Sequence, residues 1–193
     1  MTTERELPGV RWGRLTRHGD ARGAFRELWR ASAFRDLTKE VTGIDGARFV
    51  QANVSTSAAG VLRGLHYHRS QLDYWVVLDG RAFVALVDIR PTRDGRPPEV
   101  RTREASADDT VVIPAGVAHG FLALTALTLF YLVTNEYDGS DELGFTWNDP
   151  SAGVRWPRVS MTADGQPILS DRDRQNPSLA ALLERLGDRG VGV

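Results

Sequence analysis

The segment from about residue 47 to residue 136 alternates short β-rich runs with turn residues, and no helical pattern separates them. Strands that follow one another in this way form a sandwich or a closed barrel rather than βαβ units. Three runs are dominated by β-branched and aromatic residues, and these are 110–113, 120–124 and 127–133. The pattern therefore predicts an all-β fold.

The dipeptide Asp79-Gly80 is a strong signal for a two-residue turn, and strand-like runs flank it on both sides. We therefore predict a β-hairpin over residues 73–90, in which Trp75 lies opposite Val84. One face of this hairpin is expected to face the barrel interior, and its members are Asp73, Trp75, Val77, Ala82, Val84 and Leu86. The next segment, 91–98, is rich in Pro, Gly, Asp and Arg, which predicts an exposed hairpin loop.

A length of 193 residues fits a single domain, because two domains of half that size would each be marginally stable. We expect the barrel core at about 47–136 and N-terminal strands within 8–30. A C-terminal helix is predicted at about 177–187, where leucines recur at helical spacing. A shorter helical stretch is predicted at 33–38.

Charge and composition exclude several classes of protein. The formal net charge is -1, so no overall field attracts nucleic acid or an anionic membrane. The chain has no Cys, which excludes disulfides, thiolate metal ligands and cysteine nucleophiles. The N-terminus lacks the apolar core of a signal peptide, and no apolar run approaches membrane-spanning length. We therefore expect a cytoplasmic protein with no nucleic-acid or membrane partner.

Three strings bring together residue types that carry chemistry. The string Gly60-Val-Leu-Arg-Gly-Leu-His-Tyr67 combines a guanidinium, a small backbone position and an imidazole on one predicted strand. The string Ile113-Pro-Ala-Gly-Val-Ala-His119 supplies a second His after a turn, and Leu169-Ser-Asp-Arg-Asp173 supplies an acid. A lone His is more often a packed residue than a functional one. An ordered set of three such strings favours a functional site.

Together with Trp147-Asn-Asp-Pro150, these strings resemble the dTDP-4-dehydrorhamnose 3,5-epimerase family of the cupin superfamily. The resemblance runs from Asp20 to about Ser178. It implies a cupin or jelly-roll β-barrel with short peripheral helices, and a homodimer in which the subunits exchange an N-terminal strand. It also implies an isomerase of deoxysugar biosynthesis. Its substrate would be a dTDP-linked 4-keto-6-deoxyhexose, epimerised at one or both carbons beside the ketone.

The resemblance also implies catalytic roles by motif position. His66 would be the base that removes the proton beside the ketone, and Asp173 would orient it and stabilise its charged form. Tyr131 would be the acid that returns a proton on the opposite face. A core aromatic is the alternative interpretation of Tyr131, because it lies in the apolar run Leu-Phe-Tyr-Leu-Val.

Contacts with the nucleotide are implied in the same way. Arg22 and Arg63 would hold the diphosphate, for which a planar guanidinium is suited. Phe25 and Tyr137 would stack on the thymine, and Glu27 would accept its ring N–H. The alternative for each polar residue is a surface ion pair or a loop position.

Four further positions complete the implied binding set. Gln51 and Asn53 are candidates for contacts with the sugar or a phosphate, and Arg172 for a further phosphate contact. His119 is a candidate substrate contact.

Two positions depart from the family pattern. Where the family typically has a Lys that steadies the enolate oxygen, this chain has Asp73, and the neighbouring acid position holds Val84. Loss of one oxyanion donor typically costs about 3–4 kcal/mol. Whether the departures abolish ordinary epimerase activity is therefore an open question at the level of sequence.

The same region resembles the metal-binding signature of the wider cupin superfamily. The implied ligands are His66, His68, Asp73 and His119, of which the first two point the same way on a strand. Such a set suits Fe(II), Mn(II), Ni(II) or Zn(II), and the ion could replace the missing Lys. A standard epimerase needs no cofactor, and His68 is then a solvated loop residue. His66 cannot use one nitrogen both to bind metal and to take a proton.

Three functions therefore remain open from the sequence. The leading one is an epimerase of a nucleotide-linked 4-keto-6-deoxyhexose. The second is a metal-dependent cupin enzyme, either an oxygenase, an isomerase or a cyclase, on the same scaffold. The third is a nucleotide-sugar-binding relative without turnover.

Overall fold

The computed structural model describes residues 6–34, 48–158 and 165–187. Twelve strands are found in this part of the chain. In chain order they are β1 (Arg11–Arg14), β2 (His18–Asp20), β3 (Gly23–Phe25), β4 (Gln51–Ser57), β5 (Leu62–Tyr67), β6 (Asp73–Asp79), β7 (Arg81–Asp88), β8 (Glu99–Ser106), β9 (Asp109–Ile113), β10 (Val117–Ala123), β11 (Leu127–Val133) and β12 (Leu143–Gly144).

The strands form two five-stranded antiparallel sheets and one small hairpin. The first sheet has the order β1-β9-β6-β11-β4, and the second has the order β12-β5-β10-β7-β8. Strands β2 and β3 form the separate hairpin. Strands that alternate between two facing sheets in this manner make a jelly roll, so the predicted all-β class is confirmed.

The predicted hairpin over residues 73–90 is wrong in its pairing. Strand β6 pairs with β9 and β11, whereas β7 pairs with β8 and β10. The turn at Asp79-Gly80 therefore carries the chain from one sheet to the other. Gly80 has a φ of 86°, and a Cβ there would collide with the carbonyl oxygen of Ala126, so the tight crossing requires glycine.

The predicted interior face of these strands is nevertheless correct. Five of its members lie buried in one cluster between the two sheets, and these are Trp75, Val77, Ala82, Val84 and Leu86. Side chains alternate across a strand whichever partner it pairs with. The prediction of the interior face is therefore correct although the predicted pairing of the strands is wrong.

The remaining predicted elements lie close to the observed ones. The loop after β7 contains a 3₁₀ turn at Arg90–Asp94, which Gly95 ends in the left-handed conformation. Two short helices follow the barrel, α1 (Asp171–Gln175) and α2 (Leu179–Gly187). Residues 31–34 form a helical turn, and the rest of the stretch predicted at 33–38 lies outside the described residues.

Apolar side chains cover the outer faces of both sheets. Helix α2 buries Leu179 and Leu182 against a cluster that includes Leu65 and Phe145 of the second sheet's outer side. Leu28 and neighbouring N-terminal residues pack against the outer face of the first sheet. Helices of the described part are all too short to cross a membrane.

Candidate active site

A cavity of about 550 Å³ opens between the two sheets. Its walls come from β4, β6 and β11 of the first sheet and from β5 and β10 of the second, with a rim formed by residues 135–142. Eight of the residues predicted for catalysis or substrate binding line it, and these are Gln51, Asn53, Arg63, His66, His119, Tyr131, Tyr137 and Arg172.

A bulge in β5 turns two of these side chains to the same side. His119 pairs with His66, but Phe121 pairs with Arg63, so β5 carries one extra residue between the two pairs. In a regular strand Arg63 and His66 would face opposite sides of the sheet. The extra residue removes that alternation, and both side chains line the cavity.

Two glycines allow β5 and β10 to approach each other at this bulge. A Cβ on Gly64 would lie 2.7 Å from the Cα of Gly120, and Gly64 has a φ of 124°. A Cβ on Gly120 would lie 2.7 Å from the carbonyl oxygen of Arg63. The glycines of two separate motifs therefore meet at one point and set the position of the residues beside them.

His66 and Asp173 form a hydrogen-bonded pair beneath the cavity. Nε2 of His66 lies 2.8 Å from Oδ1 of Asp173, which is 3% exposed. Burial alone would raise the pKa of Asp173, but the hydrogen bond from His66 and the one from Ser170 outweigh it and lower that pKa. Since the ionised carboxylate only accepts, Nε2–H of His66 donates, and the neutral form of the ring has its lone pair on Nδ1.

Ser170 fixes the carboxylate of Asp173 at the start of α1. Its Oγ donates to Oδ2 of Asp173 at 2.9 Å, and it accepts from the backbone N–H of the same residue at 3.1 Å. This is the N-cap arrangement in which a Ser precedes an acid by three residues. The carboxylate is therefore held in one orientation towards His66.

Tyr131 reaches the cavity from the sheet that faces His66. It lies on β11 between Asn53 and Trp75 of the neighbouring strands and is half-buried. Burial raises the pKa of its phenol, and the negative charge of Asp73 adds to the increase, while Arg63 opposes it. The phenol therefore keeps its proton at neutral pH and can donate it.

Polar residues at the mouth of the cavity connect to one another. Nε of Arg63 donates to Oγ of Ser57 at 3.1 Å, and its Nη2 donates to the carbonyl oxygen of Thr56 at 3.0 Å. Nε2 of Gln51 donates to Oδ1 of Asn53 at 2.9 Å, and Oε1 of Gln51 accepts from the backbone N–H of Tyr137 at 2.8 Å. These contacts hold the amide and guanidinium groups of the cavity wall in place.

Arg172 and Tyr137 share an acidic partner that the sequence did not reveal. Arg172 forms an ion pair with Glu142, and the hydroxyl of Tyr137 donates to the same carboxylate at 2.8 Å. Burial lowers the pKa of Arg172. Glu142 belongs to none of the motifs, so no sequence signal indicated it, whereas the spacing of Ser170 and Asp173 is that of a helix N-cap.

Three predicted nucleotide contacts do not line the cavity of their own chain. Arg22 and Phe25 lie on the exposed β2–β3 hairpin, and Phe25 is 68% exposed. Arg22 pairs with Asp20 at 2.6 Å, and Glu27 pairs with Arg30 at 2.6 Å. Within a single chain these residues are surface ion pairs and an uncovered aromatic ring.

At the barrel centre, His68, Asp73 and His119 bring their ligating atoms within 4.8 Å of one another. His66 is not part of this group, and its Nε2 is bonded to Asp173 instead. The predicted four-residue set is therefore corrected to three. Burial lowers the pKa of His119 to about 4, with smaller opposing and reinforcing effects from Asp73 and from the other two imidazoles.

Comparison with known proteins gives a consistent result. Residues 4–181 match the sequence profile described as dTDP-4-dehydrorhamnose 3,5-epimerase. A protein of that name from Mycobacterium tuberculosis is 37% identical over 183 residues, which are 91% of this chain and 85% of that protein.

Solved structures of two similar proteins contain sugar nucleotides. The dTDP-6-deoxy-D-glucose-3,5-epimerase RmlC from Legionella pneumophila, in complex with dTDP-4-keto-L-rhamnose, superimposes with a TM-score of 0.79 at 32% identity and 94% coverage of both chains. ChmJ, a 3'-monoepimerase from Streptomyces bikiniensis in complex with dTDP-quinovose, gives a TM-score of 0.73 at 34% identity, covering 93% of this chain and 87% of that one.

Proposed function

Since the chain belongs to the dTDP-4-dehydrorhamnose 3,5-epimerase family, we propose how its cavity inverts a carbon beside a sugar ketone. The protein is an isomerase of deoxysugar biosynthesis, and its substrate is a dTDP-linked 4-keto-6-deoxyhexose. The observation that carries the proposal is that His66 and Tyr131 line one cavity from facing sheets.

In the proposed reaction, Nδ1 of His66 takes the proton from the carbon beside the ketone. The electron pair of the broken C–H bond moves onto the keto oxygen and forms an enolate. The imidazolium formed on His66 is stabilised by Asp173, which stays ionised because its pKa is lowered. The hydroxyl of Tyr131 then returns a proton to the same carbon from the opposite face, and the configuration is inverted.

The nucleotide occupies the mouth of the cavity in this proposal. Arg63 and Arg172 bind the diphosphate, and Tyr137 stacks on the thymine. Gln51 and Asn53 contact the sugar or a phosphate. Two of these residues are supported by their environment, because Arg63 is oriented by Ser57 and Arg172 is partly desolvated beside the cavity.

We propose that a second subunit completes the nucleotide site. The β2–β3 hairpin is exposed along its length and carries Phe25 uncovered. In a homodimer with exchanged N-terminal strands, Arg22, Phe25 and Glu27 of one subunit would reach the cavity of its partner. An exposed aromatic beside a charged pair is suited to cover a base and its phosphates.

Proton exchange with solvent tests the proposed function directly. We expect the protein to incorporate deuterium from D₂O at one or both carbons beside the ketone of dTDP-4-keto-6-deoxyglucose. NMR of the sugar protons reports which carbon exchanges, and hence which carbon is epimerised. A substrate that is bound but keeps all its protons would contradict the proposal and favour a binding protein.

Replacement Tyr131→Phe should separate proton loss from inversion. His66 still removes the proton, so deuterium exchange persists, whereas the rate of inversion falls about 10²-fold or more because the acid on the other face is lost. Deuterium incorporation and the appearance of the inverted sugar are followed by NMR in one experiment. An equal loss of both would mean that Tyr131 only packs in the wall.

Replacement Arg63→Ala should weaken the binding of dTDP. A hydrogen bond to a charged group is worth about 1.5–3 kcal/mol, which corresponds to roughly 10–100-fold in the dissociation constant. Calorimetric titration with dTDP measures the change. The matched control is Arg81→Ala, since Arg81 pairs with Glu104 at 3.7 Å away from the cavity lining. Equal affinities in the two variants would remove Arg63 from the phosphate site.

A further inference from the structure

We propose that the barrel centre binds one divalent first-row transition-metal ion through His68, Asp73 and His119. The three side chains come from different parts of the fold: His68 directly follows β5, Asp73 begins β6 and His119 lies in the middle of β10. Their ligating atoms lie within 4.8 Å of one another. Asp73 and His119 are 3% and 4% exposed, and burying a carboxylate to that degree is costly unless it is hydrogen-bonded and paired with a positive charge.

The hydrogen bonds of the two imidazoles direct their lone pairs towards this cluster. Nδ1 of His68 lies 2.7 Å from the carbonyl oxygen of Asp141, and Nδ1 of His119 lies 3.2 Å from that of Val117. A carbonyl oxygen only accepts, so each Nδ1 carries the proton and each Nε2 keeps a lone pair. Backbone carbonyls fix the tautomer of metal-binding histidines in the same way.

The cluster therefore consists of acceptors that face one another. Nε2 of His119 and Oδ2 of Asp73 are 3.7 Å apart, which is beyond hydrogen-bonding distance. Two lone-pair atoms and a carboxylate in one buried place repel one another unless a cation lies between them. A metal ion satisfies all three at once.

Asp73 is also held in the orientation that a ligand requires. Oδ1 accepts from Nε2 of Gln71 at 2.8 Å, and Oδ2 accepts from Nε1 of Trp75 at 3.1 Å. Such outer contacts fix the rotamer of a ligating carboxylate and leave its remaining lone pairs available. The carboxylate is therefore oriented before any ion arrives.

The chemistry and size of the cluster define the class of ion. Two imidazoles and one carboxylate are typical ligands for divalent first-row metals and leave coordination positions open. Ligand atoms about 2.1 Å from a shared ion lie at most about 4.2 Å apart. The three side chains must therefore draw together by less than about 1 Å, which small side-chain rotations provide. The open positions would face the cavity, because all three residues line it.

This site leaves His66 available as the base. The ion would lie beside the cavity where a Lys is absent, and it would polarise the keto oxygen as a Lewis acid. That role rests on the proposed function, whereas binding of the ion does not. The structure thus separates the metal ligands from the His66–Asp173 pair, although the four-residue pattern in the sequence joined them.

Metal titration of protein without a polyhistidine tag tests the proposal. Protein stripped with a chelator is titrated with Co(II) and with Zn(II), and visible absorption and calorimetry should show one ion bound per chain. His68→Gln, a change at the half-buried rim, and Asp73→Asn, which keeps the shape of the side chain, should each weaken binding by about 100-fold or more. His66→Asn should bind the ion as tightly as the unchanged protein.

Two results would overturn the proposal: stripped protein that binds neither ion, or loss of binding on His66→Asn but not on Asp73→Asn. A parallel measurement of deuterium exchange distinguishes failure of the metal site from failure of the proposed epimerase function. Rapid exchange by protein that binds neither ion would overturn the metal site and leave the epimerase intact. One ion bound per chain without exchange would support the site and contradict the proposed reaction.

Discussion

His66→Ala is expected to abolish most of the exchange of sugar protons with solvent, with a fall in rate of about 10²–10⁴-fold. His66 is the imidazole that lines the cavity and is bonded to a buried carboxylate. Without the ring, no group paired with Asp173 takes the proton, and Oδ1 of the carboxylate loses its hydrogen-bond donor, while Ser170 still donates to Oδ2. The rate of deuterium incorporation into a dTDP-4-keto-6-deoxyhexose, measured by NMR, gives the effect.

The effect should lie in the turnover number rather than in binding. Arg63 and Tyr137 hold the nucleotide in the proposed site, so the affinity for dTDP is expected to stay within a few fold. Calorimetry with dTDP and a thermal unfolding curve show whether the variant is folded and binds. Undiminished exchange in a folded variant would exclude His66 as the base.

Gly64→Ala is expected to lower the free energy of unfolding by about 3 kcal/mol, because it adds a backbone collision to an unfavourable φ. The new Cβ would lie 2.7 Å from the Cα of Gly120, and both strands are paired on each side, β5 with β12 and β10, and β10 with β5 and β7. The same movement would disturb the bulge that turns Arg63 and His66 to one side. Stability and the rate of exchange should therefore fall together.

A variant at a second glycine separates the effect of the backbone collision from the effect of the unfavourable φ. Gly95 has a φ of 71°, and a Cβ there would meet nothing within 4 Å. Gly95→Ala should cost only the conformational part, about 1 kcal/mol, and leave exchange unchanged. Chemical denaturation of both variants measures the difference. If the two variants were equally stable, the close approach of β5 and β10 would not matter to the fold.

The positions of individual strands along the chain could be predicted from the sequence, but the pairing of the strands could not. The run 127–133 coincides with β11, because β-branched and aromatic residues mark a strand wherever it lies. The sequence signal for a turn at Asp79-Gly80 was equally clear. A two-residue turn, however, does not reveal whether the strands on either side of it pair with each other or with other strands. Here β6 pairs with β9 and β11, and β7 pairs with β8 and β10. Contacts between residues distant in sequence determine this pairing.

For the candidate site, too, some features could be predicted from the sequence and others could not. The pairing of His66 with Asp173 followed from the family resemblance, and no spacing rule joins residues 107 apart in sequence. Period-two alternation would have sent Arg63 and His66 to opposite faces, and the bulge that prevents this has no signal beyond Gly64. The separation of His66 from His68, Asp73 and His119 needed coordinates, since all four residues fall within one signature in the sequence.

The last strand of the barrel ends at Gly144, but the carboxylate that serves His66 lies at Asp173, in α1. Chains are synthesised from the N-terminus, so both sheets leave the ribosome before this carboxylate does. The strands of both sheets are thus complete in a nascent chain while His66 still lacks its hydrogen-bond partner. In the proposed reaction, proton transfer becomes efficient only when α1 has docked against the barrel, so catalysis depends on a segment that belongs to neither sheet.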